Sequence, residues 1–186
     1  MHLTLVRHPQ PLVAAGICYG RTDLSVAPEQ MALTLAALVD SLPRGLPIYS
    51  SPLQRCAVMA AQLAPHLQSP APLLDARIAE MDFGAWEMRP WEDIPRVGID
   101  AWAADLPNYR PGGGESVLQM ATRIDAFHAD LQRQLGPKGS AIVICHAGAM
   151  RLLSARHAGL APPEMALQAA KTPHQIPYGA TLILPH

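Results

Sequence analysis

Two short runs constrain the fold of this chain more than any other feature: Leu3-Thr4-Leu5-Val6 and Ala141-Ile142-Val143-Ile144-Cys145. Both are almost continuously aliphatic or β-branched, without the polar alternation of a strand that keeps one wet face. Strands of that kind need cover on both sides, so helices must pack over both faces of the sheet they form. Candidate helices are present. Pro28 opens one in which Met31, Leu35, Leu38 and Leu42 share a face. Ser116 and Gln119 match a capping box at the head of a second, in which Val117, Met120, Ile124, Phe127 and Leu131 form the apolar stripe. A strand over residues 47–50 runs into a third helix, its start marked by a Ser51/Gln54 capping-box match with Pro52 at the first helical position. The final "ATLILPH" supplies one more strand. This alternation predicts an α/β three-layer sandwich with a mostly parallel central sheet.

At 186 residues the chain is sized for one domain spanning 1–186. Residues 66–115 carry all three tryptophans and no clear strand. They are expected to form an irregular excursion over one end of the sheet. A net charge of -1 gives no footprint for nucleic acid or an anionic membrane, and no apolar run approaches the length of a spanning helix. With no secretory pattern at the start, the expected location is cytoplasmic. Cys18, Cys56 and Cys145 are odd in number and widely spaced, which predicts reduced thiols.

Ligands of such folds gather beyond the carboxyl ends of the strands. Arg7 and His8, Arg55, and His146 each fall at or just after one of those ends. Two guanidinium forks suit phosphate oxygens, and a neutral imidazole can serve as a nucleophile. The grouping points to a phosphoryl group.

Six stretches, in order, resemble the histidine phosphatase superfamily, which includes cofactor-dependent phosphoglycerate mutase: "LVRHP", "CYGRTDLS", "SSPLQRCAVMA", "EMDFGAWE", "GGGES" and "VICHAG". The resemblance implies a phosphoglycerate mutase-like fold, His8 as the nucleophile forming a phosphohistidine, and Arg7, Arg55 and His146 as holders of the phosphoryl oxygens. It makes Glu80 the proton donor and Gly20 a point where backbone approaches the substrate. The chain departs from the pattern in places. Pro9 stands for the glycine after the nucleophile, and "PLVAAG" lacks a polar Asn that Gln10 can partly replace as a substrate ligand. Met59 stands for a threonine, Met88 for the glycine after Trp86-Glu87, and Ala147 for one position of a glycine pair.

Other residues are given plainer roles. Trp86, Trp91 and Trp102 are expected to pack the middle segment, with a ring-binding pocket as the other reading. Glu87 is expected to be structural or solvated, and Arg21 and Arg89 to be solvated. His2, His66, His128, His157, His174 and His186 show no metal-ligand spacing, so no metal and no cofactor are expected. The expected partner is a small phosphorylated metabolite, and nothing points to an oligomeric state. The short length and the "CYGRTDLS" and "EMDFGAWE" segments look most like the α-ribazole phosphatases of cobalamin synthesis. A metal-independent phosphomonoesterase is therefore expected, with mutase-type phosphoryl transfer or a non-catalytic phosphate-binding module as the alternatives.

Overall fold

In the computed structural model, which describes residues 1–171 and 176–186, five strands form one sheet. They are β1 (His2–Arg7), β2 (Ile48–Ser50), β3 (Leu73–Leu74), β4 (Ser140–Cys145) and β5 (Thr181–Leu184). Their order is β3-β2-β4-β1-β5, with β5 alone antiparallel to its neighbour. The fold is α/β, with a mostly parallel sheet between two helical layers.

The two apolar runs are the central pair, and both their faces are buried. Leu3, Leu5, Val143 and Cys145 point into a core shared with helices α4 (Val117–Leu135), α5 (Ala147–His157) and α6 (Pro162–Lys171). Val6, Ile142 and Ile144 point the other way, onto α1 (Pro28–Ser41) and α2 (Gln54–His66). This division follows from the two-residue period of a strand. The stripe of α1 is buried at Met31 and Leu38, and that of α4 at Met120, Ile124, Phe127 and Leu131. The capping box of α4 is complete, with Ser116 Oγ accepting from Gln119 N–H and Gln119 Oε1 accepting from Ser116 N–H.

The start of α2 differs from its expectation. The helix begins at Gln54, and no side chain caps it from Ser51. Asp23 does this from a distant loop, accepting the Gln54 N–H at 2.7 Å. Ser51 Oγ is engaged elsewhere, 2.8 Å from His146 Nε2. The middle segment is more ordered than its composition suggests. It contains β3, which pairs with β2, and α3 (Arg96–Ala104), between short 3₁₀ turns. Both escape a pattern search because Leu73 and Leu74 are exposed and α3 buries no residue.

Register places the site. Arg7 pairs with Cys145 and Ser50 with Ile144, so β1, β2 and β4 end nearly level. The residues that follow, His8, Ser51 and His146, therefore meet at one edge. No helix among the described residues is long and apolar enough to cross a membrane.

Candidate active site

A cavity of about 580 Å³ opens at that edge, and Arg7, His8, Arg55 and Glu80 line its polar end. His8 and His146 lie against each other, ring centroids 5.0 Å apart, and are almost wholly buried. His8 Nδ1 is 2.6 Å from the Pro9 carbonyl oxygen, which can only accept, so Nδ1 carries the proton and Nε2 the lone pair. Burial, then the positive charges of Arg55 and Arg7, push the His8 imidazole down to about 3, against the pull of the Pro9 hydrogen bond. His8 is a neutral imidazole at physiological pH. Pro9, which stands where the resemblance has a glycine, thus orients the His8 ring through its carbonyl.

Arg55 is buried, its guanidinium aimed by three acceptors. Nη1 donates to Thr22 O at 2.8 Å, Nη2 to Gly20 O at 2.6 Å, and Nε to His146 Nδ1 at 3.3 Å. Because His146 Nδ1 accepts, its proton is on Nε2, donated to Ser51 Oγ. Both nitrogens of His146 are occupied within the protein, and burial holds the ring well below its ordinary value. Arg7 donates from Nη1 to Ile176 O, and its guanidinium lies 3.9 Å from the centre of the Tyr178 ring.

Glu80 faces this group across the cavity. Its Oε1 accepts from Met81 N–H and its Oε2 from Gly148 N–H, both at 3.0 Å. Gly148 lies in the first turn of α5, and a Cβ there would run into the Glu80 carboxylate. The loop bearing Glu80 is clamped from behind by Arg123 of α4, which donates to the carbonyls of Arg77, Ala79 and Glu80 and pairs with Glu115 at 2.7 Å. Arg123 carries no motif, and only the fold reveals it.

Glu87 proves to be a structural residue of unusual reach. Its carboxylate accepts from the N–H groups of Arg21, Thr22 and Phe83 and from the Thr22 hydroxyl. It therefore fixes the loop whose Gly20 and Thr22 carbonyls aim Arg55. At Gly20 the space for a Cβ is filled by the Met81 carbonyl and the Phe83 ring, so the close approach is within the protein itself. Gln10 is exposed and not among the residues lining the cavity. Arg21 and Arg89 are exposed. His128 and His157 approach each other at 3.3 Å, at the end of α5 away from the cavity, where His157 Nε2 meets the Pro185 carbonyl, and His174 lies outside the described residues.

The tryptophans divide between the two readings. Trp86 is buried in a small cluster with Cys18 and Ile94. Trp91 and Trp102 stack with planes 8° apart, and both line the cavity together with Phe83, Ile17 and Leu106. The cavity therefore has a cationic end and an aromatic end.

A family profile of the histidine phosphatase superfamily (branch 1) matches residues 3–173. The chain belongs to this superfamily. It is 28% identical over 166 residues to the adenosylcobalamin/alpha-ribazole phosphatase of Escherichia coli, covering 86% of this chain and 80% of that one. It is 27% identical over 162 residues to a metal-independent phosphoserine phosphatase of Arabidopsis thaliana, covering 83% and 67%. A mycobacterial glucosyl-3-phosphoglycerate phosphatase shares the fold at a TM-score of 0.79 and 23% identity, over 98% of this chain and 88% of that one. This chain's membership of the histidine phosphatase superfamily makes it an enzyme of the histidine phosphatase class.

Proposed function

We propose that the chain is a metal-independent phosphomonoesterase acting through a phosphohistidine at His8. The observation that carries this reading is the state of His8, a buried neutral imidazole with its Nδ1 proton tied to Pro9 and its Nε2 lone pair left for attack. In the first step Nε2 bonds to phosphorus as the ester P–O bond breaks, and protonated Glu80 gives its proton to the leaving oxygen. In the second, the Glu80 carboxylate takes a proton from water, whose oxygen attacks phosphorus and breaks the N–P bond. Inorganic phosphate leaves, and His8 is again neutral. Arg7 and Arg55 stabilise the charge on the equatorial oxygens, and preorganised cations can do so without a metal. His146, expected from the resemblance to hold a phosphoryl oxygen, is not among the cavity-lining residues and acts on the pocket through Arg55, whose Nε–H it accepts at Nδ1. We take the reaction to be cytoplasmic and residues 1–186 to form a single domain.

The favoured substrate is α-ribazole 5′-phosphate, an intermediate of cobalamin synthesis. The stacked Trp91 and Trp102 at one end of the cavity offer aromatic surface of the kind a planar heterocycle such as its benzimidazole packs on, and the Escherichia coli relative is named for this substrate class. Phosphate release is to be measured from α-ribazole 5′-phosphate, phosphoserine and 3-phosphoglycerate, with His8→Ala protein as the blank. A kcat/KM at least about a hundredfold higher for the ribazole phosphate supports the assignment. Equal rates on all three leave a broad phosphatase, and stimulation by 2,3-bisphosphoglycerate with little release to water supports mutase-type transfer. Loss of activity with EDTA, restored by a divalent ion, contradicts the metal-independent mechanism.

A further inference from the structure

The cationic end of the cavity holds a pair of groups that the mechanism above leaves unused. Tyr19 lies in the loop between β1 and α1, Tyr178 in the loop before β5, and their hydroxyl oxygens are 2.6 Å apart. The Tyr178 ring lies against the Arg7 guanidinium, with its centroid 5.6 Å from that of His8. The Tyr19 ring is 5.7 Å from the Arg55 guanidinium. All five side chains line the same cavity.

Two hydroxyls joined by one hydrogen bond use only one of their two protons in it, so the accepting hydroxyl keeps its own O–H to donate. The segment after the nucleophile has little else to offer. Pro9 lacks an N–H, "PLVAAG" at 11–16 has no side-chain donor, and Gln10 is not among the cavity-lining residues. We propose that the pair is a phosphoryl-binding device, in which Tyr19 donates to Tyr178 Oη and Tyr178 donates its O–H to a non-bridging phosphoryl oxygen held against His8. This rests on the phosphatase reading above. Stacking on Arg7 fixes the Tyr178 ring, and the bond from Tyr19 polarises its O–H into a stronger donor. The device adds a contact to phosphate without a further positive charge.

The test is calorimetric binding of inorganic phosphate to the wild type, Tyr178→Phe and Tyr19→Phe. Phenylalanine keeps a ring over Arg7 and removes only the O–H, which separates donation from packing. Tyr178→Phe is expected to weaken phosphate binding about tenfold and Tyr19→Phe by less, as fits loss of a hydrogen bond to a charged group. KM for a phosphate ester should rise in parallel with the weakened binding. If the wild type binds and hydrolyses phosphate esters but Tyr178→Phe binds phosphate within about twofold of it, this inference falls and the phosphatase reading stands. If the wild type neither binds phosphate nor hydrolyses its esters, both fall.

Discussion

The Gly148 amide donates to Glu80 Oε2 at 3.0 Å, while any Cβ on Gly148 would collide with the same carboxylate. One residue thus both orients the carboxylate of Glu80, the proposed proton donor, and leaves room for it. Gly148→Ala is expected to displace the carboxylate and slow alkyl phosphates about a hundredfold, as loss of a general acid does. p-Nitrophenyl phosphate, whose leaving group needs little protonation, should lose far less. Steady-state kinetics on the two substrates check this, and equal slowing would detach Gly148 from proton donation.

Glu87 acts at one remove, by holding the loop that aims Arg55. In Glu87→Ala the N–H groups of Arg21, Thr22 and Phe83 lose their shared acceptor. A rise in KM for phosphate esters is expected, together with a fall in Tm of about 5 °C, from a loss of roughly 1.5–3 kcal/mol. Thermal melts and kinetics on one preparation check both. A lower Tm with unchanged KM would leave Glu87 a stability residue only.

Met88 has a φ of 64°, a conformation that suits glycine, and occupies the place where the family pattern has one. The loop has kept a glycine's backbone under a methionine side chain that is 48% exposed. Met88→Gly should therefore stabilise the protein by about 1 kcal/mol, the scale of relief from a left-handed conformation. Urea denaturation checks it, and destabilisation would show that side-chain contacts outweigh the strain.

Three buried imidazoles predict the acid limb of stability. Burial pushes His8 down to about 3 and His128 to about 4, and holds His146 well below its ordinary value of 6.5. Between 6.5 and those values the unfolded chain binds protons that the folded chain refuses, so stability falls as pH drops through that window. Tm should decline steadily below about pH 6.5. In His128→Asn, which is remote from the cavity, the slope between 6.5 and about 4 should be shallower. A wild-type Tm that stays level across the window would contradict the buried neutral state.

The central strands and their order of residues are legible because each strand is buried on both faces, and the stripes of α1 and α4 because each packs only one. The helix α5 escapes this reading because Ala147, Ala149, Met150, Leu152, Leu153 and Ala155 are all buried, leaving no clean stripe. Arg7, His8, Arg55 and His146 can be found because each lies at, or within a few residues after, the carboxyl end of a strand that patterning identifies. The residues that aim them cannot. Asp23, Glu87 and Arg123 work through backbone groups 31, 65 and 44 positions away, contacts set by tertiary packing and independent of local spacing. Ser51 shows the converse, a local capping signal that the fold does not use: α2 begins at Gln54, and Ser51 Oγ lies 2.8 Å from His146 Nε2 at the end of the neighbouring strand.

The central claim is a covalent phosphoryl group on His8, and the most direct measurement is to trap it. Enzyme quenched in base during turnover of a ³²P-labelled ester should carry acid-labile, base-stable phosphate that maps to His8, and His8→Ala protein should carry none. Label at another residue, or turnover with no phosphoenzyme at any quench time, would contradict the account.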